Sequence, residues 1–191
     1  MNGYDFDKTI YSKDSSVEFY FFLLKKKPYL VFHLIYFSFN FCLYKLKLIS
    51  KISAKEKMFS IMNYFLNIDE LVEEFWQNKS LNEWYIKQNK KNDVIISASP
   101  EFLLSVICKK YNINNLIATI VDKKTGKFMS PNCYGEEKVK RFKKKYENII
   151  LNAFYTDSYS DMCMLEVSKK IIIVKKEKKE VLLNEKLNKE I

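Results

Sequence analysis

The sequence is poor in histidine and lacks paired cysteines, and both shortages exclude classes of protein. The single histidine, His33, lies in an apolar run far from any cluster of Asp or Ser, which disfavours a Ser-His-Asp or Cys-His mechanism. The four cysteines form no C-x-x-C pair, so a zinc site of the usual Cys/His spacing is excluded. Scattered thiols are typical of a reducing compartment, and we expect a cytoplasmic protein.

Arginine is also nearly absent, although the formal net charge is +10. Arg141 is the only arginine, and the lysines that supply the remaining positive charge are spread along the chain. Surfaces that bind nucleic acids usually carry arginine, so we expect no nucleic-acid partner.

The polar start, Met1 to Thr9, lacks the basic and then apolar order of a secretory signal.

Glycine and proline are scarce in the first half of the chain. No glycine lies between Gly3 and Gly126, and residues 15–90 show a helical pattern that Pro28 alone interrupts. The remaining sequence alternates between strand and helix patterns. Strands are predicted at Gly3–Asp7, Val94–Ile96, Leu116–Val121, Ile149–Phe154 and Lys170–Val174, and helices at Glu101–Tyr111 and Glu136–Tyr146.

This alternation predicts an α/β fold built on a doubly wound parallel sheet. The helical block follows the first strand directly, so we expect residues 15–90 to form a small helical cap inserted into a core of residues 1–14 and 91–191. The Lys/Glu-rich tail from Lys175 is expected to form a terminal helix or to fray. Ligands of such sheets bind beyond the carboxyl ends of the strands.

Polar residues follow the first two strands at that edge. Asp5 and Asp7 are two residues apart in extended chain, so their carboxylates point towards one small site. Ser97 ends the second strand, and Ser99 before Pro100 is placed to cap the next helix. A helix N-terminus beside a strand end can bind an anion through free N–H groups.

Two further polar groups occur later in the chain. Lys138 falls in the first turn of a predicted helix after Gly135, where a surface lysine would be the ordinary interpretation. Asp157 and Asp161 follow a predicted strand at a spacing that would place both carboxylates on one helix face, ready for a hard cation.

The order of these motifs resembles that of the haloacid dehalogenase superfamily, in its phosphoserine-phosphatase-like branch (subfamily IB). The matching motifs are D-x-D-x-T at 5–9, the serine at the strand end, G-x-x-K at 135–138 and D-S-x-x-D at 157–161, so the resemblance covers nearly the whole chain. Lys8 and Thr156 depart from the pattern, because a small residue and a glycine are common at these places.

The resemblance implies a Rossmann-like core and a Mg²⁺-dependent phosphatase that hydrolyses a small-molecule phosphomonoester through an aspartyl-phosphate. By resemblance, Asp5 is the nucleophile and Asp7 the general acid and base. The other implied roles are Mg²⁺ binding by Asp5, Asp7 and Asp157, phosphate binding by Ser97, Ala98 and Lys138, and support from Thr9 and Asp161.

The sequence says less about the substrate. Asp14 stands where phosphoserine phosphatases carry an acidic residue that binds the substrate amine. Those enzymes also use a cap arginine to bind the substrate carboxylate, and this cap has none, which disfavours phosphoserine as the substrate. An inactive relative that acts as a non-catalytic binding module remains an alternative.

The cap contains an unusually apolar segment. Pro28 to Tyr44 carries no formal charge, and lysines flank it on both sides. It is shorter than the roughly 20 residues of a spanning helix, but it fits an interfacial helix on anionic lipid. It is similar to the caps of bacterial phosphatidylglycerophosphate phosphatases, so a lipid-phosphate phosphatase at the membrane surface is an alternative. Burial in a helical bundle is the interpretation we favour for this segment.

Overall fold

The computed structural model describes residues 1–88, 91–175 and 178–183. Three 3₁₀ segments lie among the helices and strands, at Pro28–Leu30, Ser60–Tyr64 and Tyr159–Val167. In chain order, these elements are β1 (Gly3–Tyr4), α1 (Ser15–Lys26), α2 (Val31–Lys45), α3 (Lys51–Phe59), α4 (Ile68–Gln77), α5 (Glu83–Ile86), β2 (Val94–Pro100), α6 (Glu101–Lys110), β3 (Asn115–Thr119), α7 (Glu136–Lys145), β4 (Phe154–Thr156), β5 (Lys170–Lys175) and β6 (Lys178–Leu183).

The strands form one sheet in the order β3-β2-β1-β4-β5-β6. The first five strands are parallel, and β6 joins β5 in an antiparallel pairing. The predicted α/β doubly wound parallel sheet is therefore confirmed. β1 lies between β2 and β4, so the chain runs outwards to β3 on one side and to β5 on the other. This reversal of strand order beside β1 is where open α/β sheets bind their ligands.

Both faces of the sheet are covered. Successive side chains of a strand point to opposite faces, and in β2 Ile95 packs in one apolar cluster while Val94 and Ile96 pack in another. The first cluster includes residues of β1, α1, α3, α4 and α6, and the second includes residues of β4, β5, α7 and the 3₁₀ segment at 159–167. Burial on both faces explains why the β2 sequence begins as a continuous apolar run.

Two predictions of local structure were wrong. The strand predicted at Ile149–Phe154 begins only at Phe154, because β4 pairs with β1 in a register that places Phe154 opposite Gly3. The tail was expected to form a terminal helix or to fray, but residues 178–183 form β6 because the outer edge of β5 offers free backbone groups that a helix would leave unpaired. The rest of the predicted tail helix, including Leu187, lies outside the described residues.

The apolar segment Pro28 to Tyr44 forms a 3₁₀ turn and most of α2, and its interpretation as a buried bundle helix was wrong. His33 and Asn40 are the residues of α2 that are buried, whereas Phe32, Ile35 and Phe39 are 75%, 64% and 63% exposed. The helix packs on one side only, mainly against α3, and nothing in the described chain covers the other side.

No helix in residues 1–88, 91–175 and 178–183 combines the length and apolar character needed to cross a membrane.

Candidate active site

A pocket of about 380 Å³ opens at the carboxyl end of the sheet, where β1 lies beside β2 and β4. Asp5 directly follows β1, and its backbone N–H donates to the carbonyl of Tyr155 in β4 at 2.8 Å. Of the predicted site residues, all except Thr9 line this pocket: Asp5, Asp7, Asp14, Ser97, Ala98, Lys138, Asp157 and Asp161. Groups that lie up to 156 residues apart in sequence are thus brought into one cavity.

Lys138 reaches the pocket from the first turn of α7. Its Nζ lies 2.7 Å from Oδ1 of Asp5 and 2.8 Å from Oδ2 of Asp161, and the residue is only 2% exposed. Gly135 caps α7 with a φ of +57°, a conformation that L side chains rarely adopt. The turn that aims α7 at Asp5 therefore depends on glycine at this position.

The charges of Asp5 and Lys138 are strongly coupled. Burial by itself lowers the pKa of Lys138, but the carboxylates of Asp5 and Asp161 outweigh it and hold that pKa above its ordinary value. Burial raises the pKa of Asp5 to about 7, against the opposing charge of Lys138 and with the added repulsion of Asp161. One ammonium thus faces more negative charge than it neutralises.

Asp7 is held by residues from two other elements. The backbone N–H of Ser15, at the start of α1, donates to its Oδ1 at 2.8 Å, and the Ser99 hydroxyl donates to its Oδ2. Burial and the nearby charge of Asp14 raise the pKa of Asp7 to about 6, while the hydrogen bonds from Ser15 and Ser99 oppose this shift. A carboxyl group with such a pKa can exchange a proton near neutral pH.

The segment after β2 differs from the expected helix cap. β2 extends to Pro100, and Pro100 itself is the N-cap of α6 without a side-chain hydrogen bond. Ser99 therefore does not cap the helix, because its hydroxyl bonds to Asp7 and to the Ser16 hydroxyl. Ser97 is buried, and its hydroxyl accepts the N–H of Ser99 at 3.2 Å.

Asp157 and Asp161 both line the pocket, but they do not share a helix face. The 3₁₀ segment begins at Tyr159 with Ser158 as its N-cap, so Asp157 stays outside it, in the loop after β4. Asp161 Oδ2 accepts from Lys138 and, at 2.8 Å, from the Thr156 hydroxyl. Burial raises the pKa of Asp157, and the charge of Lys8 partly opposes this shift.

Thr9 and Asp14 differ from their expected roles in the site. The Thr9 hydroxyl is buried and has no hydrogen-bond partner among the described residues, and Ser15 and Ser99 hold Asp7 in its place. Asp14 lines the pocket while capping α1, since its Oδ1 accepts the N–H of Val17 at 3.0 Å.

Sequence reasoning missed three residues of the site. Ser15 and Ser99 hold Asp7, and Lys55 of α3 lines the pocket with its Nζ 3.0 Å from the carbonyl oxygen of Ala98. Ser99 is two residues from Ser97 in the S-A-S sequence, which was a usable signal for a second polar group at the same strand end. Lys55 is one of many cap lysines, and nothing in the sequence distinguishes it.

The backbone at Lys8 gives a physical reason for the small residue that the motif pattern commonly has at this place. Its φ is +56°, in the left-handed region that glycine adopts most readily. A small residue is common at this place, and the backbone shows why. This chain holds a lysine there instead, with the side chain exposed at the rim of the pocket.

The pocket fits a hard divalent cation, although no three His, Cys, Asp or Glu side chains in the described ranges cluster closely enough to form a ready-made metal site. Five aspartates line it, three of them with pKa values raised by burial, and Oδ1 of Asp161 is buried without a partner in the described chain. Mg²⁺ usually takes one or two carboxylates and keeps several waters, so it does not need a cage of side chains.

The fold and the pocket together define an α/β protein with an aspartate pair and a buried lysine at the point of strand reversal. Residues 3–166 match the haloacid dehalogenase-like hydrolase family, and the chain belongs to this family. No curated protein sequence matches the chain closely.

Solved structures share this fold at low sequence identity. A protein of unknown function from Bordetella pertussis Tohama I has a TM-score of 0.75 at 19% identity, over 91% of this chain and 88% of its own. A phosphoserine phosphohydrolase-like protein from Francisella tularensis has a TM-score of 0.61 at 20% identity, over 98% and 91%. A phosphoserine phosphatase with a phospho-aspartyl intermediate analogue has a TM-score of 0.57 at 16% identity, over 90% and 84%.

Proposed function

We propose that the protein is a Mg²⁺-dependent phosphatase that hydrolyses a phosphomonoester through an aspartyl-phosphate on Asp5. The observation that carries this proposal is the pairing of the Asp5 carboxylate with the buried Lys138 ammonium, 2.7 Å apart, in a pocket that also holds the fixed carboxyl group of Asp7. The family match and the solved phosphoserine phosphatase with a phospho-aspartyl analogue support the same chemistry.

In the first step, an Asp5 oxygen attacks phosphorus and the bond from phosphorus to the leaving oxygen breaks. Asp7 gives its proton to that oxygen, so the alcohol departs neutral. In the second step, water attacks the phosphoryl group on Asp5 while Asp7 takes the water proton, which releases inorganic phosphate and restores both carboxyl groups. The raised pKa of Asp7 suits a group that is protonated before one step and ionised before the next.

Charge neutralisation of the phosphoryl oxygens is the main task left to the protein in such a transfer. Lys138 supplies a positive charge beside Asp5. Its ammonium group also pairs with Asp161, and the Thr156 hydroxyl donates to Asp161, so these two residues fix the position of the ammonium group. We assign the Ser97 hydroxyl and the backbone of Ala98, which line the pocket at the end of β2, to binding the phosphoryl group.

Asp5, Asp157 and the backbone carbonyl of Asp7 would hold Mg²⁺. When bound, the ion supplies positive charge for the phosphoryl oxygens and offsets the repulsion among the aspartates. This assignment accounts for the unbalanced negative charge of the pocket, where burial raises the pKa values of Asp5 and Asp157.

The test is Asp5→Asn, assayed on an aryl phosphate with and without Mg²⁺. Loss of the nucleophile should lower turnover by about 10³-fold or more while the fold is retained. Asp69→Asn is the matched control, because Asp69 is exposed and pairs with Lys123 away from the pocket. Wild-type activity in Asp5→Asn, or no Mg²⁺-dependent activity in the unmodified protein, would contradict the proposal.

A lipid phosphate is a second candidate substrate, and the cap side of the pocket favours it over a purely polar metabolite. Phe37, Phe41 and Tyr44 of α2 line the same cavity as Asp5, so an apolar group attached to the phosphate would find apolar contacts. Comparing kcat/KM for short-chain and long-chain alkyl phosphates tests this candidate. Equal values along the series would favour a small polar metabolite.

A non-catalytic binding module is the weakest of the three interpretations. An inactive site would have no need to bury Lys138 between Asp5 and Asp161, because such an arrangement costs desolvation free energy.

A further inference from the structure

The outer face of α2 is an exposed apolar surface that the proposed chemistry does not use. Phe32, Ile35 and Phe39 lie at spacings of three and four residues, so they share one face of the helix, and each is more than 60% exposed. Val31 and Tyr36 extend this face and are also exposed. We call these five residues the α2 outer face. Contiguous exposed apolar patches of this kind mark sites of interaction.

Lysines bracket the α2 outer face at both ends. Lys25 lies at the end of α1, just before the turn into α2, while Lys45 ends α2 and Lys47 follows it, and all three are exposed, whereas Lys26 pairs with Glu74. From Pro28 to Tyr44 the sequence carries no formal charge, and the whole chain has a net charge of +10. An apolar helix face with cations at its margins complements a surface that is apolar within and negatively charged at its edge.

We infer that the α2 outer face binds an anionic lipid bilayer surface, with its aromatic and aliphatic side chains in the interfacial region and the bracketing lysines on the lipid headgroups. The inference does not depend on the proposed reaction. A second copy of the chain fits less well, because an antiparallel pairing of two α2 helices would bring the lysines at one end against the lysines at the other.

The same helix lies between this surface and the pocket. Phe41 lines the cavity, but it is two residues from Phe39 in a helix and therefore lies on the opposite side of α2 from the α2 outer face. The α2 outer face is thus separate from the residues that line the pocket, so substitutions on it leave the cavity lining unchanged.

Vesicle flotation tests the inference. The full chain should float with phosphatidylcholine vesicles that contain phosphatidylglycerol, and binding should weaken with added salt because the lysine contribution is screened. The variant Phe32→Glu/Ile35→Glu/Phe39→Glu should lose at least about tenfold in vesicle affinity, because it places three carboxylates in the contact face.

The matched control is Leu66→Glu/Ile120→Glu/Met129→Glu. These three residues are also exposed and apolar, lie outside α2 and the pocket, and change the net charge by the same amount. The control should keep vesicle binding. Thermal melting and aryl-phosphate turnover of both variants show whether each is folded, since neither set lines the pocket.

Three results would overturn the inference. The first is no flotation of the unmodified chain with anionic vesicles. The second is an equal loss of binding in the α2 variant and the control. The third is a concentration-dependent dimer that the α2 variant abolishes while vesicles bind neither protein, because the occupant of the face would then be a second copy. An inactive enzyme that still floats would remove the proposed reaction and leave this inference intact.

Discussion

Replacing Lys138 by Met should both destabilise the protein and abolish its activity. The side chain of Lys138 is 3% exposed, and those of its partners Asp5 and Asp161 are 14% and 2% exposed. Met keeps a similar length and volume but removes the ammonium group, so the two carboxylates lose their shared counter-charge in a buried setting. Removing one partner of a buried ion pair costs about 3–5 kcal/mol.

This cost can be converted into a melting temperature. For a domain of this size, 1 kcal/mol shifts the Tm by about 2–4 °C, so Lys138→Met should melt about 6–20 °C below the unmodified protein in metal-free buffer. Mg²⁺ should recover part of the loss if Asp5 binds it, because the ion replaces some of the missing positive charge. Differential scanning calorimetry with and without Mg²⁺ measures both effects.

Lys143→Met is the matched control, because it is the same substitution on the same helix. Lys143 forms an ion pair with Glu166, but both side chains are more than half exposed, so the loss should be about 0–1 kcal/mol. In addition, Lys138→Met/Asp161→Asn should be more stable than Lys138→Met alone, since one uncompensated carboxylate is removed. Equal Tm values for Lys138→Met and Lys143→Met would refute the reasoning.

Three further predictions follow from the pocket. In metal-free protein, burial raises the pKa of Asp5 to about 7 and that of Asp7 to about 6. Between about pH 4 and 7 the folded state therefore binds more protons than the unfolded state, and the free energy of unfolding should fall as pH rises. Melting curves should therefore show a larger gain from Mg²⁺ at pH 7 than at pH 5, and an equal gain would contradict the assignment. Thr156→Val should cost about 1–3 kcal/mol in denaturant unfolding and lower kcat, because Asp161 loses a buried hydrogen-bond donor, whereas Thr156→Ser should keep both near the original values. Lys55→Met should raise KM for an aryl phosphate more than it lowers kcat, because Lys55 lines the pocket and bonds to the Ala98 carbonyl rather than to Asp5 or Asp7. A loss confined to kcat would rule out a role for Lys55 in substrate binding.

The exposure of α2 shows that a pattern of apolar residues is not enough to predict whether a helix is buried. A charge-free run such as Pro28 to Tyr44 fits a buried helix and an interfacial helix equally well, because periodicity reports which residues are apolar and says nothing about what covers them. In this fold, α2 packs on one side only, so Phe32, Ile35 and Phe39 remain outside. The exposure of this helix was decided by which of its sides other elements cover, and this is a property of the tertiary structure.

The tail shows that a sequence pattern also cannot predict which backbone hydrogen bonds a segment makes. Val181, Leu182 and Leu183 fit a helix as well as a strand when considered alone, and they form β6 because the edge of β5 is available beside them. A strand needs its partner, whereas a helix satisfies its own backbone. Sequence patterns therefore predict helices such as α6 and α7 closely, and strand bounds such as those of β4 less well.

The sequence by itself determined the alternation of strands and helices, the insertion point of the helical block and the order of the polar motifs, because these depend on local periodicity and on residues close in the chain. The tertiary structure alone decided that the Lys138 ammonium lies between Asp5 and Asp161, that Ser15 and Ser99 hold Asp7, and that Lys55 faces the pocket. These contacts join elements up to 133 residues apart. They arise from the pairing of β1 with β2 and β4, which no local pattern records.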